Sequence, residues 1–216
     1  MQLISVNAGR PRYMQFQGKS FRTAIYKTPV SGTVPVRSLQ IEGDGQADLQ
    51  SHGGTDKAVY LYPLEHYDFW RTELGLSLEQ MGSFGENFTS EGMLESEVCI
   101  GDTFEVGTAV VQVSQPRTPC YKLAARLERP DLPARFLKSL KSGFYLRVLT
   151  EGQVQAGDCF VLRDRDSEPV TVQDLVRIYH FQRDDQAAIR RVLKNGAIAR
   201  EWRCELQRRL DERGFK

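Results

Sequence analysis

The chain has 216 residues, of which 40% are hydrophobic and 26% charged, a composition typical of a folded globular protein rather than a disordered or fibrous one. Its 29 lysines and arginines almost balance 28 aspartates and glutamates, so the net charge of +1 gives no overall attraction to nucleic acids or membranes. No apolar run suits a signal peptide or a membrane span, which predicts a cytoplasmic protein without a membrane partner.

Residues 1–165 are expected to form many short strands separated by glycine-rich turns. The strand-forming runs are 2–9, 23–30, 34–43, 57–62, FGENFT, DTFEV, AVVQVSQ, FYLRVLT and DCFVLRD. Many short strands separated by glycine-rich turns are typical of a closed or nearly closed β-barrel. Helices are expected over 63–74, with Pro63 in the first turn and Gly75 as the stop, from about Thr118-Pro119, and over roughly 131–141.

The pattern changes after residue 165. The polar run DRDSEP predicts a linker, and residues 166–216 are expected to form a small unit of three helices, the first capped by Thr171. Residues 171–216 hold 11 lysines and arginines against 7 aspartates and glutamates. This excess favours either a docking surface for an acidic partner or a packing appendage. Arginines alternate with acidic residues there, which argues against a nucleic-acid partner.

The segment SQPRTPCYKL, residues 114–123, is the strongest candidate for a reactive site. If Thr118 caps a helix that begins at Pro119, Cys120 lies in the first helical turn, where free N–H groups and the helix dipole favour an anion. Arg117 and Lys122 add positive charge, and all these effects favour the thiolate, which is the nucleophile and the metal ligand. The alternative is a small buried residue, the usual environment of a free cysteine.

The other cysteines lack this setting. The chain has four cysteines, at 99, 120, 159 and 204, with no CxxC spacing, which predicts free thiols in a reducing compartment. Cys99 and Cys159 lie in strand-like runs and are expected to pack as small apolar residues.

The loop SHGGTDK, residues 51–57, is a second candidate. The paired Gly53 and Gly54 would let the backbone approach an anion, and Lys57 adds charge at the start of the next strand. A plain glycine turn capped by Asp56 is the simpler interpretation from spacing alone. A dyad of Cys120 with His52 for acyl transfer is a further alternative, because the two need only meet in space.

The loop FGENFTSEG, residues 84–92, is a third candidate. The amide of Asn87 offers a donor and an acceptor together, which suits the edge of a heterocycle. The alternative is an asparagine that stabilises a turn.

Taken in order, the segments HGGTDKAVYLYP, HYDFW, FGENFTSEGMLES and QVSQPRTPCYKL, followed by the TVQDL helix, resemble the MOSC-domain family and specifically its bacterial YiiM type. The resemblance covers nearly the whole chain. It implies a mainly β fold with helices, in which a MOSC-type β-barrel precedes a small C-terminal three-helix unit. It also implies a molybdenum cofactor, in which molybdopterin carries the metal and a phosphate.

The resemblance further implies roles for individual residues. Cys120 matches the family's protein ligand to molybdenum and would be the catalytic residue. The other positions implied or favoured as cofactor-binding are Lys27, His52, Gly53, Gly54, Asp56, Lys57, Asn87, Ser114, Arg117 and Lys122.

Related proteins, including the mitochondrial amidoxime-reducing component, reduce N-hydroxylated compounds, so the implied substrates are hydroxylaminopurines and amidoximes. The sequence contains no haem or iron–sulfur motif, which predicts a separate flavin or iron–sulfur reductase as the electron donor. Two alternatives remain: a sulfur carrier with a persulfide on Cys120, and a non-catalytic module that binds the cofactor or a nucleic acid.

Overall fold

The computed structural model describes residues 1–48 and 53–214, with side chains as far as residue 212. The strands in these residues are β1 Gln2–Ala8, β2 Arg12–Phe16, β3 Lys19–Thr23, β4 Thr28–Pro29, β5 Val34–Val36, β6 Val59–Pro63, β7 Phe88–Glu91, β8 Thr103–Val106, β9 Ala109–Pro116, β10 Phe144–Thr150, β11 Gly152–Val154 and β12 Val161–Asp164. The helices are α1 Glu65–Leu74, α2 Tyr121–Arg126, α3 Leu132–Ser139, α4 Val172–His180, α5 Gln186–Lys194 and α6 Arg200–Gly214, with a short 3-10 turn over Thr55–Lys57.

Eight strands form one sheet in the order β12-β8-β9-β10-β6-β7-β1-β4. Near its two ends, the amide of Leu3 on β1 donates to the carbonyl of Asp158 at 2.8 Å, and the amide of Gly157 donates back to Leu3 at 2.7 Å. These bonds join β1 to the segment before β12, so the sheet curves into a half-barrel. The predicted mainly β fold with a C-terminal helical unit is confirmed.

The apolar core runs without interruption from the barrel into the C-terminal helices. Phe104 and Phe144 inside the barrel belong to the same buried cluster as Leu175 on α4 and Trp202 on α6. A second cluster lies under α1 and α3, where Trp70 and Phe136 stack with ring centres 5.3 Å apart. The C-terminal unit therefore packs as an extension of the barrel core. No described helix is both long and apolar enough to cross a membrane.

The strand expected over 23–30 is interrupted, because residues 24–27 belong to no strand. The hairpin of β2 and β3 was not predicted. Gln17 and Gly18 form its two-residue turn with φ values of 49° and 74°, so both adopt the left-handed conformation that such hairpins need. Gln-Gly is a weaker turn signal than Asn-Gly, and the strands RYMQF and KSFRT do not alternate regularly between apolar and polar residues, so the pattern was inconspicuous.

Helix boundaries also differ in detail. Pro63 is not in the first turn of α1, because it still pairs with Ser90 as the last residue of β6. Gly75 ends α1 as predicted, in the left-handed conformation, with its amide donating to the Arg71 carbonyl. The predicted cap at Thr171 is confirmed, since its hydroxyl accepts the amide of Asp174 at 3.0 Å.

Cys99 is buried, as predicted, whereas Cys159 is exposed. The prediction for Cys159 is wrong because this residue forms only an isolated bridge with Gln2, before β12 begins, and its side chain faces solvent.

Candidate functional site

Three side chains of the site lie in one row across the sheet. Antiparallel pairing of β10 with β6 places Tyr145 opposite Tyr60. Parallel pairing of β6 with β7 matches Leu61 to Phe88, so Asn87 comes to the level of Tyr60, whose amide donates to the Asn87 carboxamide oxygen at 3.1 Å. Residues in register on neighbouring strands face the same side of a sheet, and this row forms one wall of a cavity.

The cavity opens to solvent. Its described lining holds four cationic side chains, one carboxylate, that of Asp44, and the thiol of Cys120. The structure thereby brings together six of the residues predicted from the sequence: Lys27, Lys57, Asn87, Arg117, Cys120 and Lys122. A cavity with this lining favours an anionic ligand.

Cys120 is half-buried and immediately precedes α2. The prediction that it lies in the first helical turn is wrong, because its extended conformation, with φ of −131°, delays the helix until Tyr121. Its carbonyl nonetheless accepts the amide of Leu123 at 3.0 Å, which fixes the backbone at the start of the turn. The positive charge near the thiol therefore comes from the side chains of Arg117 and Lys122 rather than from a position within a helix.

Arg117 follows β9 and is only 7% exposed. Its guanidinium carbon lies 4.7 Å from the centre of the Tyr60 ring, and Nη1 donates to the Tyr60 hydroxyl at 3.5 Å. Burial disfavours the charge, but Tyr60, Tyr145 and Cys120 outweigh it and raise the pKa of Arg117, so the guanidinium stays charged. Among the residues that the structure describes, no carboxylate pairs with it.

Lys27 forms a buried ion pair with Asp44. The Asp44 carboxylate also accepts the amide of Gly9 at 2.9 Å and the carboxamide of Asn87 at 2.8 Å. Burial lowers the pKa of Lys27, while the charge of Asp44 and its hydrogen bond oppose this shift. The Asn87 amide nitrogen also donates to the Asn7 carbonyl at 3.3 Å, and its oxygen accepts the Tyr60 amide, so a heterocycle would have to share that oxygen with Tyr60.

Two further cavity lysines also meet carboxylates. Lys57 Nζ lies 2.6 Å from Glu201 Oε2, which belongs to α6 of the C-terminal unit. Lys122 Nζ lies 3.6 Å from Asp48 Oδ2. The cavity lysines are therefore neutralised locally, in contrast to Arg117.

Ser114 and Asp56 lie behind the cavity wall rather than in the described lining. The Ser114 hydroxyl lies 2.5 Å from the Asp56 carbonyl and 3.0 Å from the Tyr145 carbonyl, and both oxygens can accept its proton. The Asp56 carboxylate accepts Arg147 Nη2 at 2.8 Å and the amide of Arg200 at 3.1 Å. Both residues hold the segment that presents Lys57 and have no direct path to a ligand in this arrangement.

The glycine loop is placed only in part. Gly54 lines a neighbouring surface groove, and its φ of 95° is a conformation that favours glycine. Gly53 is not part of the described cavity lining. His52 lies outside the described residues. The cofactor roles implied for these three residues stay predictions.

Sequence reasoning missed Asp44, Tyr60 and Tyr145, which line the cavity, and Glu86, which shapes it. Glu86 is fully buried and accepts the amides of Gly82 at 2.8 Å and Phe84 at 3.0 Å. The loop before β7 thus wraps around this carboxylate, and burial raises its pKa. Gly82 and Gly85, on either side of Ser83-Phe84, were the available signal, because both adopt positive φ values in this tight loop.

Comparisons with known proteins identify two family models in the chain. The MOSC domain matches residues 48–161, and the YiiM-like, 3-alpha helix domain matches residues 170–213. The uncharacterized protein YflK of Bacillus subtilis is 41% identical over 209 residues, which cover 97% of this chain and 94% of YflK. The crystal structure of YiiM from Geobacillus stearothermophilus matches with a TM-score of 0.83 and 38% identity, covering 97% of this chain and 98% of that one.

A third relative is considerably longer. A protein of Gibberella moniliformis named Reductase is 35% identical over 179 residues, which make up 82% of this chain but 32% of that protein.

Proposed function

Because the chain belongs to the MOSC-domain family and carries its YiiM-like three-helix unit, we propose that the cavity binds a molybdenum cofactor and that the protein reduces N-hydroxylated compounds. Hydroxylaminopurines and amidoximes are the substrate class. In the overall reaction the N–O bond breaks, two electrons and two protons are consumed, and the amine or amidine leaves together with one water.

The proposal rests on the burial of the Arg117 guanidinium, which has no carboxylate partner among the described residues. A buried charge without a counter-ion costs several kcal/mol, on the order of the desolvation penalty for one ion. The face of Tyr60 and its hydroxyl stabilise the guanidinium without supplying a full negative charge. An anion in the cavity would supply that counter-charge, and the phosphate and dithiolene groups of a pterin cofactor are anionic.

Cys120 supports the metal assignment. Its sulfur lines the same cavity as Arg117, and a soft thiolate suits molybdenum beside dithiolene sulfurs. When bound, the cofactor supplies the two-electron chemistry that cleaves the N–O bond. The chain's own residues bind and orient it: Arg117, Lys57 and Lys122 meet its anionic groups, and Cys120 would hold the metal.

Tyr145 is the cavity's candidate for holding a proton. Burial raises the pKa of its phenol, although the charge of Arg117 opposes this shift. Tyr145 Oη therefore keeps its proton at neutral pH and can donate a hydrogen bond to an oxygen of the substrate.

The electrons would come from a separate flavin or iron–sulfur reductase. The Gibberella protein named Reductase supports this division, because the matching region makes up 32% of its length and leaves room for further domains.

Activity with an artificial donor tests the proposal. Protein from a host that makes molybdenum cofactor should reduce benzamidoxime and 6-hydroxylaminopurine with reduced methyl viologen, and Cys120→Ala should lose this activity while remaining folded. The exposed Cys159→Ala is the matched control and should keep it. Full activity in Cys120→Ala would reject the assignment. Protein without molybdenum, with one extra sulfur on Cys120 by mass spectrometry, would instead indicate a sulfur carrier.

A further inference from the structure

The three cavity lysines differ in how firmly their carboxylate partners are held. The side chain of Asp44 is 3% exposed, that of Asp48 is 37% exposed and that of Glu201 is 70% exposed. Asp44 also accepts hydrogen bonds from two other groups, so it cannot leave Lys27 without leaving several buried donors unpaired. Glu201 already lies in water and can turn away from Lys57 with little loss of hydration.

Lys57 itself is well placed to meet a ligand. Its side chain is only 11% exposed and lines the cavity, whereas its partner Glu201 stands outside the described lining. A charge in this position is weakly screened by solvent, so an anion in the cavity would compete strongly for it.

The backbone that carries Glu201 is fixed to the barrel. The amide of Ala199 donates to the Ser114 carbonyl at 3.0 Å, and the amide of Arg200 donates to the Asp56 carboxylate at 3.1 Å. The next residue, Trp202, is buried in the shared core. Only the side chain of Glu201 is therefore free to move relative to the cavity, and α6 is an integral part of the site.

We propose that Glu201 is an exchangeable counter-ion: it holds the Lys57 ammonium at the cavity until an anionic group of the ligand replaces it. This inference rests on the proposed anionic ligand and adds to it a role for the C-terminal unit. Through Glu201, that unit sets how strongly the cavity attracts anions, because each ligand must displace this carboxylate from Lys57.

Anion binding by the cofactor-free full-length chain tests this role. Isothermal titration with inorganic pyrophosphate should give a dissociation constant about 3- to 10-fold lower for Glu201→Gln than for wild type, because the amide removes the carboxylate charge that competes with the anion for Lys57. Glu212→Gln is the matched control: it removes another carboxylate of α6, one that pairs with Arg208 and is not part of the described cavity lining, and it should bind pyrophosphate as wild type does. Thermal unfolding should confirm that both variants are folded.

The Lys57→Met variant provides a second test of the counter-ion role. Lys57→Met should weaken pyrophosphate binding. Adding Glu201→Gln to Lys57→Met should increase the affinity for pyrophosphate less than Glu201→Gln does in wild type, because the Lys57–Glu201 ion pair is already broken. Equal or weaker binding by Glu201→Gln in the wild-type background would overturn the counter-ion role and leave the anion site intact. No pyrophosphate binding by wild type would overturn the anion site itself.

Discussion

The guanidinium carbon of Arg117 lies 4.7 Å from the centre of the Tyr60 ring, although Arg117 follows β9 and Tyr60 belongs to β6, on the opposite side of β10. The guanidinium therefore lies beside the row of cavity residues formed by Tyr145, Tyr60 and Asn87. It holds a permanent positive charge beside Cys120 in a position shielded from water. An anionic ligand and a cysteine sulfur would both be stabilised by that charge.

The Arg117→Gln variant distinguishes the contribution of Arg117 to anion binding from its contribution to the stability of the fold. We expect pyrophosphate binding to weaken at least about 10-fold, since a hydrogen bond to a charged group contributes about 1.5–3 kcal/mol. The free energy of unfolding should change little, because the variant removes the cost of burying the charge together with the contacts that stabilise it. Calorimetric titration and urea unfolding measure the two quantities.

Arg126→Gln is the control for the Arg117 variant. Arg126 also lies over a tyrosine ring, that of Tyr26 at 4.7 Å, but it is not among the described cavity residues. Its loss should leave pyrophosphate binding unchanged. Equal binding by Arg117→Gln and wild type would show that the ligand does not need this guanidinium.

Asp44→Asn should destabilise the protein in a pH-dependent way. Breaking a buried ion pair from one side costs about 3 kcal/mol near neutral pH. Burial lowers the pKa of Lys27 and Asp44 opposes this shift, so the variant should move that pKa further below its unfolded value of about 10.4.

The sign of this effect follows from proton linkage. A lysine whose pKa is lower in the folded than in the unfolded chain destabilises the fold while the pH lies below both values, and the cost disappears as pH rises through them. Urea unfolding should therefore show a large difference between wild type and Asp44→Asn at pH 7 and a smaller one at pH 9.5. A difference that grows with pH would contradict the buried pair.

Asn87→Asp should place a second carboxylate beside Asp44, at the 2.8 Å contact that the amide now makes. Like charges at this distance in a buried site disfavour each other's ionised form, and we expect a loss of about 2–4 kcal/mol in the free energy of unfolding. The exchange variant Asn87→Asp with Asp44→Asn restores one acid and one amide. It should be more stable than the sum of the single changes predicts, and strict additivity would argue against the contact.

Local patterns in the sequence predicted the elements whose signals are confined to a few neighbouring residues. Alternating apolar residues predicted β9 and β10, and Gly75 and Thr171 correctly marked helix ends. The short strands β2 and β3 were missed because their turn signal is weak. Pro63 was misplaced because a proline at the end of a strand resembles one at a helix start.

The cavity was predicted only where its residues lie in a conspicuous motif. Cys120, Arg117 and Lys122 were found because charge and proline cluster around one thiol. Tyr60 and Tyr145 were not found, since only the register between β6 and β10 brings them together. Glu201 lies 144 residues after Lys57, and its role depends on how the C-terminal unit packs on the barrel.

X-ray absorption at the molybdenum edge can show whether Cys120 binds the metal, when it is measured on wild type, Cys120→Ala and Cys159→Ala purified from a host that makes the cofactor. Wild type should contain molybdenum with a sulfur neighbour in addition to those of the cofactor, and Cys120→Ala should lose one sulfur while Cys159→Ala does not. An unchanged number of sulfur neighbours in Cys120→Ala, or wild-type protein without molybdenum, would contradict the account.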